Sequence, residues 1–247
     1  MLRDDYYRAI ALLREVADRW DHGNLSSPFR KQIESFLAVS PQRERTKMKQ
    51  PFVWIISGKA ASGKDTVGNL IAEAVARQSN GVIDIRHYSF AARLKTIESD
   101  IWGPVGQDYA DKARRRSRYI AMGAAVRAID EDAWARIVYD QILADRPDHA
   151  IITDCRYRNE LSMFVASTAL YGIPVRIEAP QSVRAERMAA RGTSWAEYEP
   201  FAGHVSECEM DDQIKIRPWS VIVNDSTDVE LRETVERFVA KSLEVPF

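Results

Sequence analysis

The sequence predicts an α/β fold in which a parallel five-stranded sheet lies between layers of helices. Short apolar runs recur at about 52–56, 82–88, 149–153, 173–177 and 219–223. Segments with the helical spacing of apolar residues separate them, and strands that alternate with helices form parallel sheets with right-handed crossovers. A glycine-bounded loop follows the first run and leads directly into a helix. This order places the loop at the carboxyl edge of the sheet, where open α/β sheets bind ligands.

Composition excludes several classes of protein. A hydrophobic content of 45% and a charged content of 29% are typical of a globular protein. The formal net charge of −1 gives no reason to expect binding to nucleic acid or to a membrane surface. The two cysteines, Cys155 and Cys208, form neither a disulfide framework nor a zinc motif. No signal peptide or run of about 20 apolar residues is found, so we expect a cytoplasmic protein.

Residues 1–48 are expected to form a helical extension and linker, separate from a main domain at 49–247. Apolar residues recur at helical spacing over 4–22, and Ser27-Pro28 is typical of a second helix start. The stretch 40–51 is polar and bounded by prolines, as linkers are. Two such helices cannot form a core alone. We expect them to pack against the main domain or against a second subunit, which would give a homodimer.

The glycine-bounded loop has the G-x-x-x-x-G-K spacing of a phosphate-binding loop. Glycines allow the backbone to turn successive N–H groups toward one anion, and the helix start adds partial positive charge. Lys64 adds a full charge that can reach the β- and γ-phosphates. The alternative is a glycine-rich turn that binds nothing. The predicted nucleotide contacts are Gly58, Lys59, Ala60, Ala61, Ser62, Gly63, Lys64, Asp65 and Thr66.

Two carboxylates are candidate ligands for Mg²⁺. Asp65 stands where such loops usually carry Ser or Thr, and a carboxylate is still a hard oxygen ligand. Thr66 is then expected on the α-phosphate side. Asp154 ends the third apolar run, where it is expected to orient the Mg²⁺ shell or a reacting group. The alternative is that Asp154 caps the helix that follows.

Basic residues cluster at the predicted carboxyl edge and in a predicted lid. Arg93 and Lys95 follow the second strand, Arg118 ends the basic run 112–118, and Arg156 follows the third strand. Arg184, Arg187 and Arg191 share one helix face, and 193–201 is predicted to be a loop before His204–Glu209. Together, about 181–210 indicate a mobile lid that closes over phosphates. The alternative for both basic groups is a solvated helix face.

Four segments resemble the bacteriophage deoxynucleoside monophosphate kinases: 57–66, Thr153-Asp-Cys-Arg156, His204-Val-Ser-Glu207 and 221–226. The resemblance covers roughly 52–245. The Gly-Lys-Asp loop and the Ser206-Glu-Cys208 segment also resemble animal-type phosphomevalonate kinases. The resemblance implies a P-loop kinase three-layer sandwich that transfers a phosphoryl group from ATP, with Mg²⁺, to a (deoxy)nucleoside monophosphate. It implies a role in deoxynucleotide metabolism, in the host cytoplasm if a phage encodes the chain.

The resemblance also implies roles for individual residues. Arg93, Lys95, Arg118 and Arg156 would hold the acceptor phosphate, and Arg184 and Arg187 would act from the lid. Asn224 would lie near the adenine. Catalysis would consist of positioning and charge neutralisation by Lys64, Mg²⁺, Arg156, Arg184 and Arg187, with Asp154 orienting the Mg²⁺ shell or a reacting group. An ionised acceptor phosphate needs no strong general base.

Two other functions remain open from the sequence. One is a kinase of another phosphorylated small molecule, of the phosphomevalonate or dephospho-coenzyme A type. A nucleotide acceptor needs groups that stack on its base, and Trp102, Tyr109 and Tyr119 are candidates. The other is a nucleotide-dependent ATPase or switch whose N-terminal helices bind a partner. The number of arginines favours a kinase with small-molecule nucleotides as its partners.

Overall fold

The computed structural model describes residues 50–79, 83–103, 109–216 and 220–244. The side chains of 109–113 and 212–216 are not described. The predicted helical extension at 1–48 lies outside these ranges. Within them, no helix combines the length and the apolar character that crossing a bilayer requires.

The five predicted strands are confirmed and form one parallel sheet. Their order across the sheet is β2-β3-β1-β4-β5. The strands are β1 (Phe52–Gly58), β2 (Ile85–Tyr88), β3 (His149–Cys155), β4 (Tyr171–Glu178) and β5 (Ser220–Val223). β1 is therefore central. Its residues from Phe52 to Ile56 are all buried, which explains why it is a continuous apolar run rather than an alternating one.

Helices cover both faces of the sheet, as predicted. They are α1 (Lys64–Gln78), α2 (Ala92–Trp102), α3 (Tyr109–Ile129), α4 (Ala133–Asp145), α5 (Arg158–Val165), α6 (Gln181–Ala190), α7 (Trp195–Ala202), α8 (Val205–Ile216) and α9 (Asp228–Leu243). Apolar residues of α1 and α9 pack with Trp54 and Ile56 on one face. Those of α4 and α5 pack with Val53 and Ile55 on the other. The result is a three-layer sandwich.

The predicted loop at 193–201 is wrong, because α7 begins at Trp195. Ser194 caps this helix. Its hydroxyl accepts a hydrogen bond from the Glu197 N–H, and the Glu197 carboxylate accepts one from the Ser194 N–H at 2.7 Å. This reciprocal pair is a capping box, whose Ser-x-x-Glu signal is present in the sequence. Pro200 masked it by suggesting a break, but Pro200 lies within the helix.

Candidate active site

The phosphate-binding loop adopts a shape that requires glycine at Gly58 and Gly63. Gly63 has a φ of 94°, in the left-handed region, and a Cβ there would overlap the Asn224 amide. A Cβ at Gly58 would overlap the carbonyl oxygen of Ile177 in β4 and the Ser62 hydroxyl. The loop thus lies directly against β4 and the end of β5. The positions of the two glycines are therefore required by contacts within the protein, in addition to any requirement of a bound ligand.

Lys64 lies across the mouth of this loop. Its Nζ donates to the carbonyl oxygens of Gly58, at 2.8 Å, and Lys59, at 3.0 Å. Burial and, to a smaller extent, the nearby positive charge of Arg156 lower the pKa of Lys64 to about 8, although the carboxylates of Glu207 and Asp65 oppose this shift. A polyphosphate beside Nζ would favour the charged form and reverse this shift.

We expect nucleotide binding to be coupled to proton uptake by Lys64 above pH 8. A bound polyphosphate should raise its pKa from about 8 toward or above the ordinary 10.5. Between these values the empty protein has a neutral Lys64 and the complex a charged one. Affinity for ATP should therefore be flat from pH 7 to 8 and fall as pH rises toward 10.

Calorimetric titration at pH 9, in buffers of different protonation enthalpy, should detect uptake of about one proton per nucleotide. Lys64→Met should bind more weakly and without this uptake. The same proton uptake in that variant would contradict the assignment to Lys64.

Unsatisfied donors surround the loop. Among the described side chains, only three buried nitrogen or oxygen atoms have no hydrogen-bond partner: Ser62 Oγ, Arg176 Nε and Arg187 Nη1. Ser62 is in the loop, Arg176 donates to the Ser57 hydroxyl at 3.3 Å, and a Cβ at Gly63 would lie 3.9 Å from Arg187 Nη1. Ser62 and Arg176 also line a cavity of about 370 Å³. Because buried donors are normally paired, this arrangement fits a bound polyphosphate, such as that of a nucleoside triphosphate.

Arg176 is a site residue that the sequence reading missed. It lies in β4 between the buried Val175 and Ile177, is itself buried, and bonds to Asp211 of α8 at 2.5 Å. A charged residue inside an otherwise apolar strand was the available signal, since arginine is rarely fully buried unless it is paired.

Asn224 lies beneath the loop. Its Nδ2 donates to the Ser62 carbonyl oxygen at 2.8 Å, and its Oδ1 accepts from Arg187 at 3.0 Å. With 3% of its surface exposed, it supports the loop backbone directly. The role near adenine stays a prediction.

The two lid arginines reach the loop from α6. Arg184 is buried, points Nη1 at the Ala60 carbonyl oxygen from 3.5 Å, and lies 5.2 Å from the Trp195 ring. Arg187 contacts Asn224 as described. Arg191 follows the end of α6 and is exposed. Of these three arginines, only Arg191 has the solvent-exposed position that the alternative of a solvated helix face requires.

The structure does not bring the predicted Mg²⁺ ligands together. Asp65 accepts a hydrogen bond from the Thr153 hydroxyl at 2.7 Å, on the α1 side of β3. Asp154 follows Thr153 and, as side chains alternate along a strand, points to the opposite side. There it accepts from the Ser89 hydroxyl and from the N–H groups of Phe90 and Ala91.

A magnesium–nucleotide complex needs only one or two protein carboxylates, because phosphates and water supply the other oxygens. Asp65, exposed beside Lys64, fits that requirement. Within the described residues, no three His, Cys, Asp or Glu side chains cluster as a metal site built from protein ligands alone would require.

The alternative that Asp154 caps the next helix is wrong. Glu160 has that role, since its carboxylate accepts from the N–H groups of Arg156, at 2.7 Å, and Tyr157, at 3.0 Å. Burial raises the pKa of Glu160 to about 8 despite these bonds. Asp154 instead fixes the turn that enters α2.

A second cavity, of about 350 Å³, opens beside the loop between α2, α3, the end of β3 and α8. That volume lies in the range of small-molecule sites. Its wall combines aromatic rings, cations and carboxylates. The rings are Phe90, Tyr119, Trp134, Tyr157 and Phe201, the cations Lys95, Arg116, Arg127 and Arg156, and the carboxylates Asp154, Glu160 and Glu207.

Of the four cationic residues predicted to hold the acceptor phosphate, two line this cavity. Lys95 and Arg156 line the cavity, whereas Arg93 is exposed on α2 and is not part of its wall. Arg118 donates to the buried Glu98 at 3.0 Å and lies over the Trp102 ring at 4.7 Å. The cavity position that the sequence assigned to Arg118 is occupied by Arg116.

Of the three predicted base-stacking residues, only Tyr119 lines the cavity. Trp102 instead lies against Arg118, and the side chain of Tyr109 is outside the described set. Phe201, which no sequence signal singled out, lies 4.3 Å from the Arg116 guanidinium.

Comparisons with known proteins agree with one of the two resemblances. The phosphomevalonate kinase family matches residues 56–169, just under half of the chain. No curated protein matches the chain. The matched segment contains the phosphate loop, β3 and most of the residues that line the aromatic cavity of about 350 Å³. Loop and match together support a P-loop kinase whose acceptor they leave unspecified.

Solved structures with similar folds include a gluconokinase from Sinorhizobium meliloti 1021. It has a TM-score of 0.49 and 18% identity, over 79% of this chain and 95% of that one. An APS kinase from Mycobacterium tuberculosis, in complex with AMPPNP and APS, has a TM-score of 0.42 and 14% identity, over 79% and 99%. At these values neither identifies a substrate for this chain.

Proposed function

We propose that the protein transfers a phosphoryl group from ATP, with Mg²⁺, to a (deoxy)nucleoside monophosphate and forms the diphosphate. The observation that carries this proposal is the meeting of two cavities at one loop. The cavity with Ser62, Arg176 and Arg184 suits the donor polyphosphate, and the aromatic cavity with Arg156 suits the acceptor. Ala60 of the loop lines the aromatic cavity, so donor and acceptor phosphates would meet there.

The aromatic wall favours a nucleotide acceptor. A planar base gains stacking energy against rings such as Tyr119 and Phe201, of about 1–3 kcal/mol per base. An aliphatic acceptor would gain only burial of its few carbons. The cations Arg116, Arg127 and Arg156 provide more charge than one phosphate needs, and the surplus can bind polar base edges.

The chain's own residues would act by placing and neutralising charge. Lys64 and the arginines of α6 would stabilise charge on the transferring group, while Arg156 would orient the acceptor phosphate. Bound Mg²⁺ would supply further neutralisation of the polyphosphate, held by Asp65. Closure of α6–α8 over the loop would exclude water, which otherwise competes as the acceptor.

A phosphomevalonate-type acceptor is the second candidate, because the family match favours it. It would leave the donor side and the role of Arg156 unchanged. An ATPase or switch is a third, which predicts slow hydrolysis without any acceptor. The homodimer through 1–48 stays a prediction.

The test is an ADP-release assay with ATP and Mg²⁺ against deoxynucleoside and nucleoside monophosphates, phosphomevalonate and dephospho-coenzyme A. Rapid turnover with one or more nucleoside monophosphates is the expected result. Turnover with phosphomevalonate and with no other acceptor would show that phosphomevalonate, and not a nucleoside monophosphate, is the acceptor. Slow hydrolysis unaffected by every acceptor would overturn the kinase proposal.

A further inference from the structure

Glu207, in the first turn of α8, occupies an unusual position for a carboxylate. One oxygen accepts from the Ala60 N–H of the phosphate loop, at 3.1 Å, and from the Tyr198 hydroxyl, at 3.0 Å. The other accepts from Arg156, and Arg116 lies 3.9 Å away. The side chain is almost fully buried. One carboxylate thus joins the phosphate loop, β3, α3 and α7.

These four donors have the chemistry of a phosphate site. A loop N–H, guanidinium groups and a hydroxyl are the groups that bind phosphate oxygens in proteins. Glu207 is itself held as an anion there. Burial favours its neutral form, but the charge of Arg156 and its hydrogen bond keep the pKa of Glu207 below its ordinary value.

A phosphate in the aromatic cavity would require the same donors. Glu207, Arg116 and Arg156 all line that cavity, as does Ala60. A phosphate dianion cannot lie beside a buried carboxylate without strong repulsion, so only one of the two can occupy the donors.

We propose that Ala60 N–H, Arg116, Arg156 and Tyr198 form the subsite for the acceptor phosphate, which the Glu207 carboxylate fills until a phosphate displaces it. This rests on the proposed function, and it adds Tyr198, Arg116 and Glu207 to the residues that govern acceptor binding. Glu207 is a competitor in the empty enzyme and makes no contact with the reacting atoms.

A second carboxylate on α8 supports this reading. Asp211 lies one turn after Glu207 and pairs with Lys59, at 3.0 Å, and with Arg176, at 2.5 Å. Residues four apart share a helix face, so α8 presents two carboxylates to the loop and its neighbouring strand. Displacing Glu207 would move that face, and would release Lys59 and Arg176 for the donor phosphates.

Binding of inorganic phosphate tests the proposal. Calorimetric titrations with saturating ADP and Mg²⁺, which leave the acceptor side open, would compare wild type with Glu207→Gln. Glutamine keeps the size of the side chain and can accept from Tyr198, but it carries no charge. We expect Glu207→Gln to bind phosphate at least about tenfold more tightly. Adding Tyr198→Phe to it should remove part of the gain.

The matched control is Glu209→Gln, on the same helix, whose carboxylate accepts from the Arg158 N–H at 2.8 Å and lines neither cavity. It should bind phosphate as the wild type does. Equal or weaker phosphate binding by Glu207→Gln would overturn the proposal, because Glu207 would then organise Arg156 for the ligand instead. If that variant does not fold, Glu207→Ala replaces it, because it also removes the competing carboxylate; the same gain is expected, and equal or weaker phosphate binding would again overturn the proposal.

The titration needs no turnover, so it separates this inference from the proposed function. A gain in phosphate affinity without any nucleotide acceptor in the turnover assay would leave the subsite in place and remove the proposed substrate. Turnover of a nucleoside monophosphate with no gain would remove the subsite assignment alone.

Discussion

Replacing Lys64 with alanine should reduce phosphoryl transfer by about 10²–10³-fold while leaving the fold intact. Its Nζ lies at the mouth of the phosphate loop and donates to the carbonyl oxygens of Gly58 and Lys59. A preorganised charge of this kind contributes about 3–4 kcal/mol to the transition state when it acts on the transferring group. The fold should survive, since the hydrophobic clusters on both sheet faces do not include Lys64.

The measurement is kcat/KM with the acceptor that the turnover assay identifies, together with thermal unfolding by circular dichroism. Lys241→Ala, which removes an exposed lysine near the end of α9, is the control for loss of a charge. Residual turnover above a tenth of the wild-type rate would show that Lys64 is not the main stabilising charge.

The second large effect is expected for Arg156→Met. This change removes the guanidinium but keeps an unbranched side chain of comparable reach. We expect kcat/KM for the acceptor to fall about 10²–10³-fold, as is usual when one positioned donor to a reacting group is lost. The affinity for ATP should change much less, because Arg156 lines the acceptor cavity and not the donor cavity.

The unfolding midpoint of Arg156→Met should also fall, because Glu207 loses its ion-pair partner and remains buried. Arg158→Met is the matched control, since Arg158 is exposed two residues further along. Steady-state kinetics with varied acceptor and with varied ATP would separate the effect on the acceptor from the effect on ATP. An equal loss in both variants, or a loss confined to ATP affinity, would contradict an acceptor-side role.

The strands of the sheet could be predicted from the sequence because each depends on a local pattern. Most of the strands contain an apolar run, and the glycines of the loop that follows β1 are required by close contacts with Ile177 and Asn224. The cations of the acceptor side could not be predicted in the same way. Arg115 and Arg118 are three residues apart and share one face of α3, whereas Arg116 lies on a different face.

The buried Glu98 of α2 determines which of these arginines faces the cavity. It pairs with Arg115 and Arg118 and leaves Arg116 toward the cavity. Which arginine faces the cavity thus depends on how α2 and α3 pack together, and the spacing of residues within one helix gives no information about that packing. The sequence indicates Glu207 only as part of the segment His204-Val-Ser-Glu207, because nothing local shows that an acidic residue on α8 accepts from the N–H of Ala60.

The central position of β1 has a consequence for how the chain is made. Both neighbours of β1 come late: Phe52 pairs with His149 and with Tyr171. At a synthesis rate of about 5–20 residues per second, the ribosome releases β1 several seconds or more before either partner exists. Throughout that interval an apolar strand has two open edges, which other nascent chains can pair with. Aggregation is thus a hazard of biosynthesis for this protein, and a chaperone that shields the emerging strand would raise its yield.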